Sequence, residues 1–382
     1  MNTALAPNKS GKAQKRTGGR IDMRVLVLLI LLLLTGLVCL FSASYYNFQD
    51  SGDALAKVRQ QLAGAALGAA AIAVLCRVDY HYYKKPVVVL ALLAVSALLL
   101  TLVCIPGIGV LANGSRRWLR VGGLSFQPSE AAKFAMVIFM ANALDNKGAR
   151  IRKFWQLVPP LIVPGVMFLL ILQQPNLSTA GSILIVAFVM VAVAGARVGH
   201  LALMGAAGLA LGAFYAWSEP YRRERLLSFR DPFRLMSDEG YQLSQSLIAI
   251  GSGGLFGMGL GQGRQKTAYL PYPESDFIFA SIAEDFGLFG CIAVIALFVL
   301  FFYAGIRVAL RCPDRFGCLL AAGITAMIGV QAFLNMGVVV GLLPTTGLPL
   351  PFFSAGGTSV SIFMAAVGVL LNISRFDEMR VR

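Results

Sequence analysis

Charge is scarce in this chain. Of its 382 residues, 13% are charged, against about a quarter in ordinary soluble domains. Acids are the scarcer sign, 18 against 33 Lys and Arg. There are two histidines, His81 and His200, far apart in sequence, which argues against a zinc site. The six cysteines, Cys39, Cys76, Cys104, Cys291, Cys312 and Cys318, form no CxxC pair. Most lie in or beside apolar runs and read as small apolar fillers, not as a disulfide framework or a metal site. The glycine-rich stretch from Gly251 to Gly263 lacks the Gly-Lys-Ser/Thr ending and the preceding strand of a phosphate-binding loop, which excludes that mode of nucleotide binding. No internal repeat is evident, which weighs against an inverted-repeat transporter. The net charge of +15 belongs to no folded basic domain outside the apolar runs, so nucleic acid is not the expected partner.

What the chain has is hydrocarbon: 57% hydrophobic residues and a mean hydropathy of +0.73. Several apolar runs reach the ~20 residues that a bilayer crossing needs. The expected fold is an all-α polytopic membrane protein of about ten transmembrane helices, at 24–44, 61–78, 86–106, 130–145, 157–174, 178–196, 200–217, 276–305, 317–342 and 357–374. Residues 1–23 form a basic tail expected to be disordered and cytoplasmic, 24–375 the membrane domain, and 376–382 a second cytoplasmic tail. The run from Val25 to Phe41, followed by Ser42-Ala43-Ser44, is long for a cleaved signal peptide and reads as a retained first helix.

Basic residues set the orientation. Lys84 and Lys85, Lys147 to Lys153, Arg197, and Arg307 to Arg315 fall on alternate loops, on one side with both termini. The positive-inside rule makes that side cytoplasmic, with 107–129 and its Arg116, Arg117 and Arg120 as the exception. Trp155 and Trp217 sit near helix ends, as interfacial anchors do. The segment 218–275, between the seventh and eighth helices, is too long for a mere connector and is expected outside the membrane, with short helices lying at its surface.

Candidate chemistry gathers on that outer side. Pro271-Tyr-Pro-Glu-Ser-Asp-Phe-Ile-Phe279 carries Glu274 and Asp276 at the seam between a polar loop and an apolar helix. A carboxylate there, beside Phe277, Ile278 and Phe279, suits a general base. It equally suits a helix N-cap, and Glu274 is either the base itself or a solvated charge. Arg116, Arg117 and Trp118 fit a phosphate or pyrophosphate site with an interfacial anchor, or a basic turn against lipid headgroups. Glu130 and Lys133, three apart at a helix start, share a face and can pair. An intramembrane lysine is costly and points to function or to a structural ion pair. Arg264 and Lys266 face a polyanionic substrate or water. Gln331 and Asn335, four apart, are expected to hydrogen-bond within the bundle.

Together these pieces resemble the SEDS family of bacterial cell-wall polymerases, FtsW, RodA and SpoVE, over roughly residues 24–375. The resemblance is carried by Phe41-Ser-Ala-Ser44, Gly114-Ser-Arg-Arg-Trp118, Gln127-Pro-Ser-Glu130 with Lys133, Gly240-Tyr-Gln242, Gln245-Ser246, Ala249-Ile-Gly-Ser-Gly-Gly-Leu-Phe256, Asp276-Phe-Ile-Phe-Ala280 and Gly356-Gly357. Pro344-Thr-Thr-Gly347 and Gln265-Lys266 look closer to the FtsW and SpoVE branch. Three stretches depart from the family pattern. Gln174-Pro-Asn176 stands where Gln-Pro-Asp is common, Tyr272-Pro-Glu-Ser-Asp276 replaces Glu-Ala-His-Thr-Asp, and Ser354-Ala-Gly-Gly357 replaces Ser-Tyr-Gly-Gly.

The resemblance implies glycosyl transfer on lipid II at the outer face of the bacterial plasma membrane, with release of undecaprenyl pyrophosphate. It implies a class B penicillin-binding protein and division-complex membrane proteins as partners, at the division or spore septum. Asp276 matches the family's catalytic acid. As an inverting base it would take the proton from the acceptor's 4-hydroxyl. Arg117, Arg116 and Lys133 would stabilise the leaving pyrophosphate. Magnesium or manganese could assist, although no ligand cluster is evident. The rival readings are a lipid II flippase, which should spread polar groups through the membrane interior, and a division scaffold, which would not need Asp276.

Overall fold

The computed structural model describes residues 19–49, 53, 55–112, 115–121, 124–218, 223, 229–234 and 240–376. The expectations for residues 1–18, for Arg380 and Arg382, and for most of the charged stretch 221–228 lie outside them. Long apolar runs dominate because, away from water, an α-helix satisfies every backbone N–H and C=O internally. The helices are α1 Met23–Gln49, α2 Ala56–Leu75, α3 Pro86–Leu102, α4 Pro128–Lys147, α5 Val158–Leu172, α6 Leu177–Val193, α7 Val198–Trp217, α8 Tyr241–Gly253, α9 Ile278–Arg311, α10 Arg315–Val339 and α11 Gly357–Ser374. Five of them, α1, α2, α9, α10 and α11, are long and apolar enough to cross a membrane, and α3, α5, α6 and α7 are shorter apolar helices.

Helix α10 is the hub. It packs on α4, α6, α9 and α11. Around it, α2 and α11 approach closely through Gly64 and Gly68, four apart on one face of α2. A Cβ on Gly64 would stand 2.0 Å from the Gly357 carbonyl oxygen, and one on Gly68 would strike Met364. Without a hydrophobic drive between helices in lipid, such small-residue contacts let backbones pack.

Two features depart from the expected all-α plan. First, the 107–129 segment holds an antiparallel sheet of β1 Gly109–Ala112, β2 Ser115–Val121 and β3 Leu124–Phe126, in the order β1-β2-β3. Val110 pairs with Trp118 and Leu119 with Phe126. The expectation of an all-α chain is corrected here. Extended strands become affordable outside the hydrocarbon, where water and neighbouring strands satisfy the backbone. Second, α9 is two helices joined at Gly287, whose φ of 65° and ψ of −160° lie outside helical space. Residues Ile278 to Asp285 are all buried, whereas the longer second part exposes an apolar face with Ile292, Val299 and Leu310.

Of the short helices expected in the 218–275 segment, the described residues include α8 and a single π-helical turn, Gln265–Tyr269. Helix α8 docks on α9 and α10, and the Ser246 hydroxyl donates to the Val339 carbonyl at 2.8 Å.

Candidate functional site

Asp276 sits one residue before Phe277, which holds the N-cap position of α9 without a side-chain cap bond. The N-cap reading is therefore not what the structure shows for Asp276. Its carboxylate Oδ1 accepts the Ser275 hydroxyl at 3.1 Å. Its backbone carbonyl accepts Asn335 Nδ2 at 2.8 Å, and the same amide donates to the Leu348 carbonyl at 2.7 Å. Gly347, with φ of +76°, lies so close that a Cβ there would come within 3.3 Å of Asp276 Oδ2.

The Pro-rich segment 343–356 therefore straps the acid in place. The Ser354 hydroxyl donates to the Ser275 carbonyl at 2.6 Å and accepts the Leu350 N–H at 2.8 Å. The Ala355 N–H reaches the Glu274 carbonyl at 2.8 Å. Glu274 is 6% exposed, so it is not a solvated charge.

Lys133 and Glu130 meet as an ion pair at 2.8 Å, both about fully buried on α4. The Lys133 ammonium also donates to Gln331 Oε1, and Gln331 Nε2 donates to the Pro349 carbonyl at 2.9 Å. The ammonium stands 5.5 Å from the Phe363 ring centre, a cation–π distance. The 343–356 strap is thus the common element between Lys133 and Asp276.

Strand alternation separates the two arginines. Period two puts Arg117 with Ser115 and Leu119, both buried, and Arg116 with Trp118 on the other face. Arg117 Nε donates to the Gln174 carbonyl at 3.1 Å, and its guanidinium also reaches the Pro175 carbonyl. The next residue, Asn176, caps α6 by accepting the Thr179 N–H at 3.3 Å. An Asp or an Asn serves equally as an N-cap, so the departure at 176 keeps the cap. The Ser178 hydroxyl then donates to the Thr346 carbonyl, beside Gly347. Arg117 and Asp276 are linked through this chain of contacts.

Several buried oxygens around this region, Ser129 Oγ, Glu130 Oε2, Gln174 Oε1, Asn335 Oδ1 and Thr346 Oγ1, accept or donate no hydrogen bond among the described residues. Such acceptors suit a ligand rich in hydroxyl and amide donors.

Lys266 is not brought to Asp276. It is 1% exposed, and its ammonium binds the Asp285 carboxylate and the Ser42 hydroxyl, the latter at 2.7 Å. Ser42 in turn donates to Asp285 Oδ2 at 2.5 Å. The expectation that Lys266 faces a polyanion is corrected: its charge is neutralised inside the protein. Arg264 is exposed.

The sequence reading passed over Glu284 and Asp285, two acids inside an apolar helix, although an intramembrane acid is a signal in its own right. Glu284 accepts the backbone N–H groups of Gln265 and Lys266 at 2.8 and 3.2 Å. A Cβ on Gly263 would clash with its carboxylate at 2.4 Å. These contacts fasten the 254–269 loop against the Gly287 kink.

Known proteins resemble this chain in sequence and in fold. Stage V sporulation protein E of Bacillus subtilis (strain 168) is 42% identical over 362 residues, covering 94% of this chain and 98% of that protein. A probable peptidoglycan glycosyltransferase FtsW of Geobacter sp. (strain M18) is 39% identical, covering 92% and 96%. A chain solved in a study of the structural coordination of polymerization and crosslinking by a peptidoglycan synthase complex superposes with a TM-score of 0.76 at 29% identity, covering 93% of this chain and 98% of that one. The rod shape determining protein RodA of Thermus thermophilus gives 0.69 at 28% identity, covering 94% and 98%. The cell cycle protein family FtsW/RodA/SpoVE matches residues 23–379, and this chain belongs to it.

Proposed function

We propose that the chain polymerises lipid II into β-1,4 glycan strands, as a peptidoglycan glycosyltransferase. One observation carries the residue assignment: Asp276 is fixed through its own backbone by Asn335 and hemmed by Gly347, beside the strap that also holds Lys133. A base held this way needs little reorganisation at the moment of reaction.

Asp276 removes the proton from the 4-hydroxyl of the acceptor sugar as that oxygen attacks the donor's anomeric carbon. The bond from that carbon to the pyrophosphate oxygen breaks with its electron pair, and undecaprenyl pyrophosphate leaves. One displacement inverts the centre and requires no covalent enzyme intermediate, by analogy with inverting glycosidases. Arg117, its guanidinium fixed by the 174 and 175 carbonyls, stabilises the leaving charge, with Arg116 at the outer face of the sheet. Lys133 contributes less charge than a lone ammonium, since Glu130 offsets it. Trp118 anchors the sheet at the interface, and Glu274 shapes the acid's surroundings. Among the described residues no three His, Cys, Asp or Glu side chains group as a metal site, and each step above is carried by this chain's own side chains.

Ten helices, α1 to α7 and α9 to α11, would span the bilayer, with both termini cytoplasmic and α8 in the large outer segment between the seventh and eighth spans. A class B penicillin-binding protein and other division proteins are the proposed partners, at the septum. The solved neighbour, from a peptidoglycan synthase complex that coordinates polymerization and crosslinking, supports the transpeptidase partner.

The test is lipid II polymerisation by the purified protein, with and without its class B transpeptidase, beside Asp276→Asn. Glycan strands from the native protein alone are expected, with none from the variant. Equal polymerisation by a well-folded variant rejects Asp276 as the base, and transbilayer movement of lipid II without strands rejects the transferase.

A further inference from the structure

A cleft of about 450 Å³ opens between the start of α1 and the last turns of α9. The cleft meets α9 at Leu300, about 20 Å along its second part from the Gly287 kink, whereas Asp276 precedes the first part. Val27, Leu28, Leu300 and Ala304 give it hydrocarbon walls, and Arg24, Tyr303 and Arg307 stand at its mouth. The Arg307 guanidinium sits 5.9 Å from the Tyr303 ring centre, which holds the cation at the rim. Among the described residues neither Arg24 nor Arg307 is held in an ion pair. The acid at the cleft, Asp22, is 7% exposed, and its carboxylate is occupied in accepting the Arg24 backbone N–H at 2.9 Å.

An apolar slot with two cations at the water interface matches one kind of occupant. A neutral solute has no use for the arginines, and a small anion has no use for the walls. An amphipathic anion uses both, with its chain in the slot and its phosphate on the guanidinium groups. Basic pockets between helices on the cytoplasmic side recognise anionic lipid headgroups in this way.

We propose that this cleft is a binding site for an anionic phospholipid of the inner leaflet. The phosphate lies at Arg24 and Arg307, and an acyl chain lies against Val27, Leu28, Leu300 and Ala304. The assignment to the inner leaflet rests on the orientation proposed above, whereas the site itself does not. Both helices of the cleft are joined again nearer the other end, where Ser42 of α1 meets Asp285 of α9. A bound lipid would therefore clamp the same seam at a second point and raise the melting temperature.

The experiment uses full-length protein, stripped of lipid in detergent. Retention of phosphatidylglycerol and of phosphatidylcholine with identical chains is measured by native mass spectrometry. The native chain, Arg24→Gln, Arg307→Gln and the double variant are compared, with inorganic phosphate as competitor. Phosphatidylglycerol should bind the native chain preferentially and raise its melting temperature. The double variant should lose roughly thirtyfold in affinity, and millimolar phosphate should not displace the lipid. Equal retention of the two lipids, or an undiminished double variant, overturns the proposal. Displacement by phosphate alone would make the site one for free anions and overturn it too. So would crosslinking of Leu300→Cys to a partner's membrane helix that phosphatidylglycerol does not block. Neither arginine touches the polymerase site, so retained lipid II polymerisation certifies the fold of each variant. Lipid binding can fail while polymerisation stands, and the reverse.

Discussion

Asn335 binds Asp276 by the backbone, not by the carboxylate. Its side-chain amide bridges the carbonyls of Asp276 and Leu348 at 2.8 and 2.7 Å, tying the entry of α9 to the strap after α10. The acid's position is thus set from a helix 59 residues further on in sequence, while its carboxylate Oδ1 takes the Ser275 hydroxyl.

Removing that bridge tests the point. In Asn335→Ala two hydrogen bonds vanish, at about 1 kcal/mol each, so the protein should still fold. A shift of Asp276 by about 1 Å costs on the order of a hundredfold in turnover. The expected result is a large fall in kcat with KM for lipid II little changed, measured by glycan formation. A variant that keeps its kcat would show that the bridge does not position the acid.

The Lys266–Asp285–Ser42 cluster gives a prediction about stability. Lys266→Met leaves the Asp285 carboxylate buried without its counter-charge, which costs about 3–5 kcal/mol. The double variant Lys266→Met/Asp285→Leu removes both charges and should recover most of the loss. Melting in detergent reads both. Equal melting of the single variant and the native chain would show that the pair is not buried as described.

Much of this was legible in the chain beforehand. Lipid demands long, uncharged helices, so the apolar runs mark the helices, with every end within about six residues. In so acid-poor a sequence, Asp276 at a loop–helix seam stands out. The sheet was also written there: Asn113-Gly114 and Gly122-Gly123 are two-residue hairpin signals between extended segments, hidden beneath the stronger hydropathy. What no local pattern carries is the pairing of Lys266 with Asp285 and Ser42. Ser42 is 243 residues from Asp285, and the Lys266 backbone is held by Glu284 through a turn with no repeating period. The separation of Arg116 from Arg117 likewise depends on strand geometry, since adjacent residues look alike until the period is two.

Position 176 gives a substitution that should do little. Asn176 caps α6 through its side-chain oxygen, and Asp offers the same oxygen, so Asn176→Asp should polymerise within a few-fold of the native chain. Asn176→Ala loses the cap, at about 1 kcal/mol, and should lower the melting temperature. A large change in rate in Asn176→Asp without a change in melting would give this side chain a role beyond the cap.

The last prediction concerns Cys312, in the turn between α9 and α10, outside the spans. Burial pushes its thiol from 9.0 up to about 12; a hydrogen bond with the Asp314 backbone opposes the rise, and the Asp314 carboxylate's charge adds to it. The thiolate is the reactive form. At pH 8 its population is therefore about a thousandfold below that of a thiol with the ordinary value. Maleimide labelling of Cys312 should be correspondingly slow, and should rise about tenfold per pH unit through pH 10, where an ordinary thiol levels off. The folded state holds this proton more tightly than the unfolded state. Its contribution to stability is complete below pH 9 and is lost as pH climbs towards 12. A labelling rate that levels off near pH 9 would mean that the Cys312 thiol meets water, and that the α9–α10 turn is open on its cysteine side.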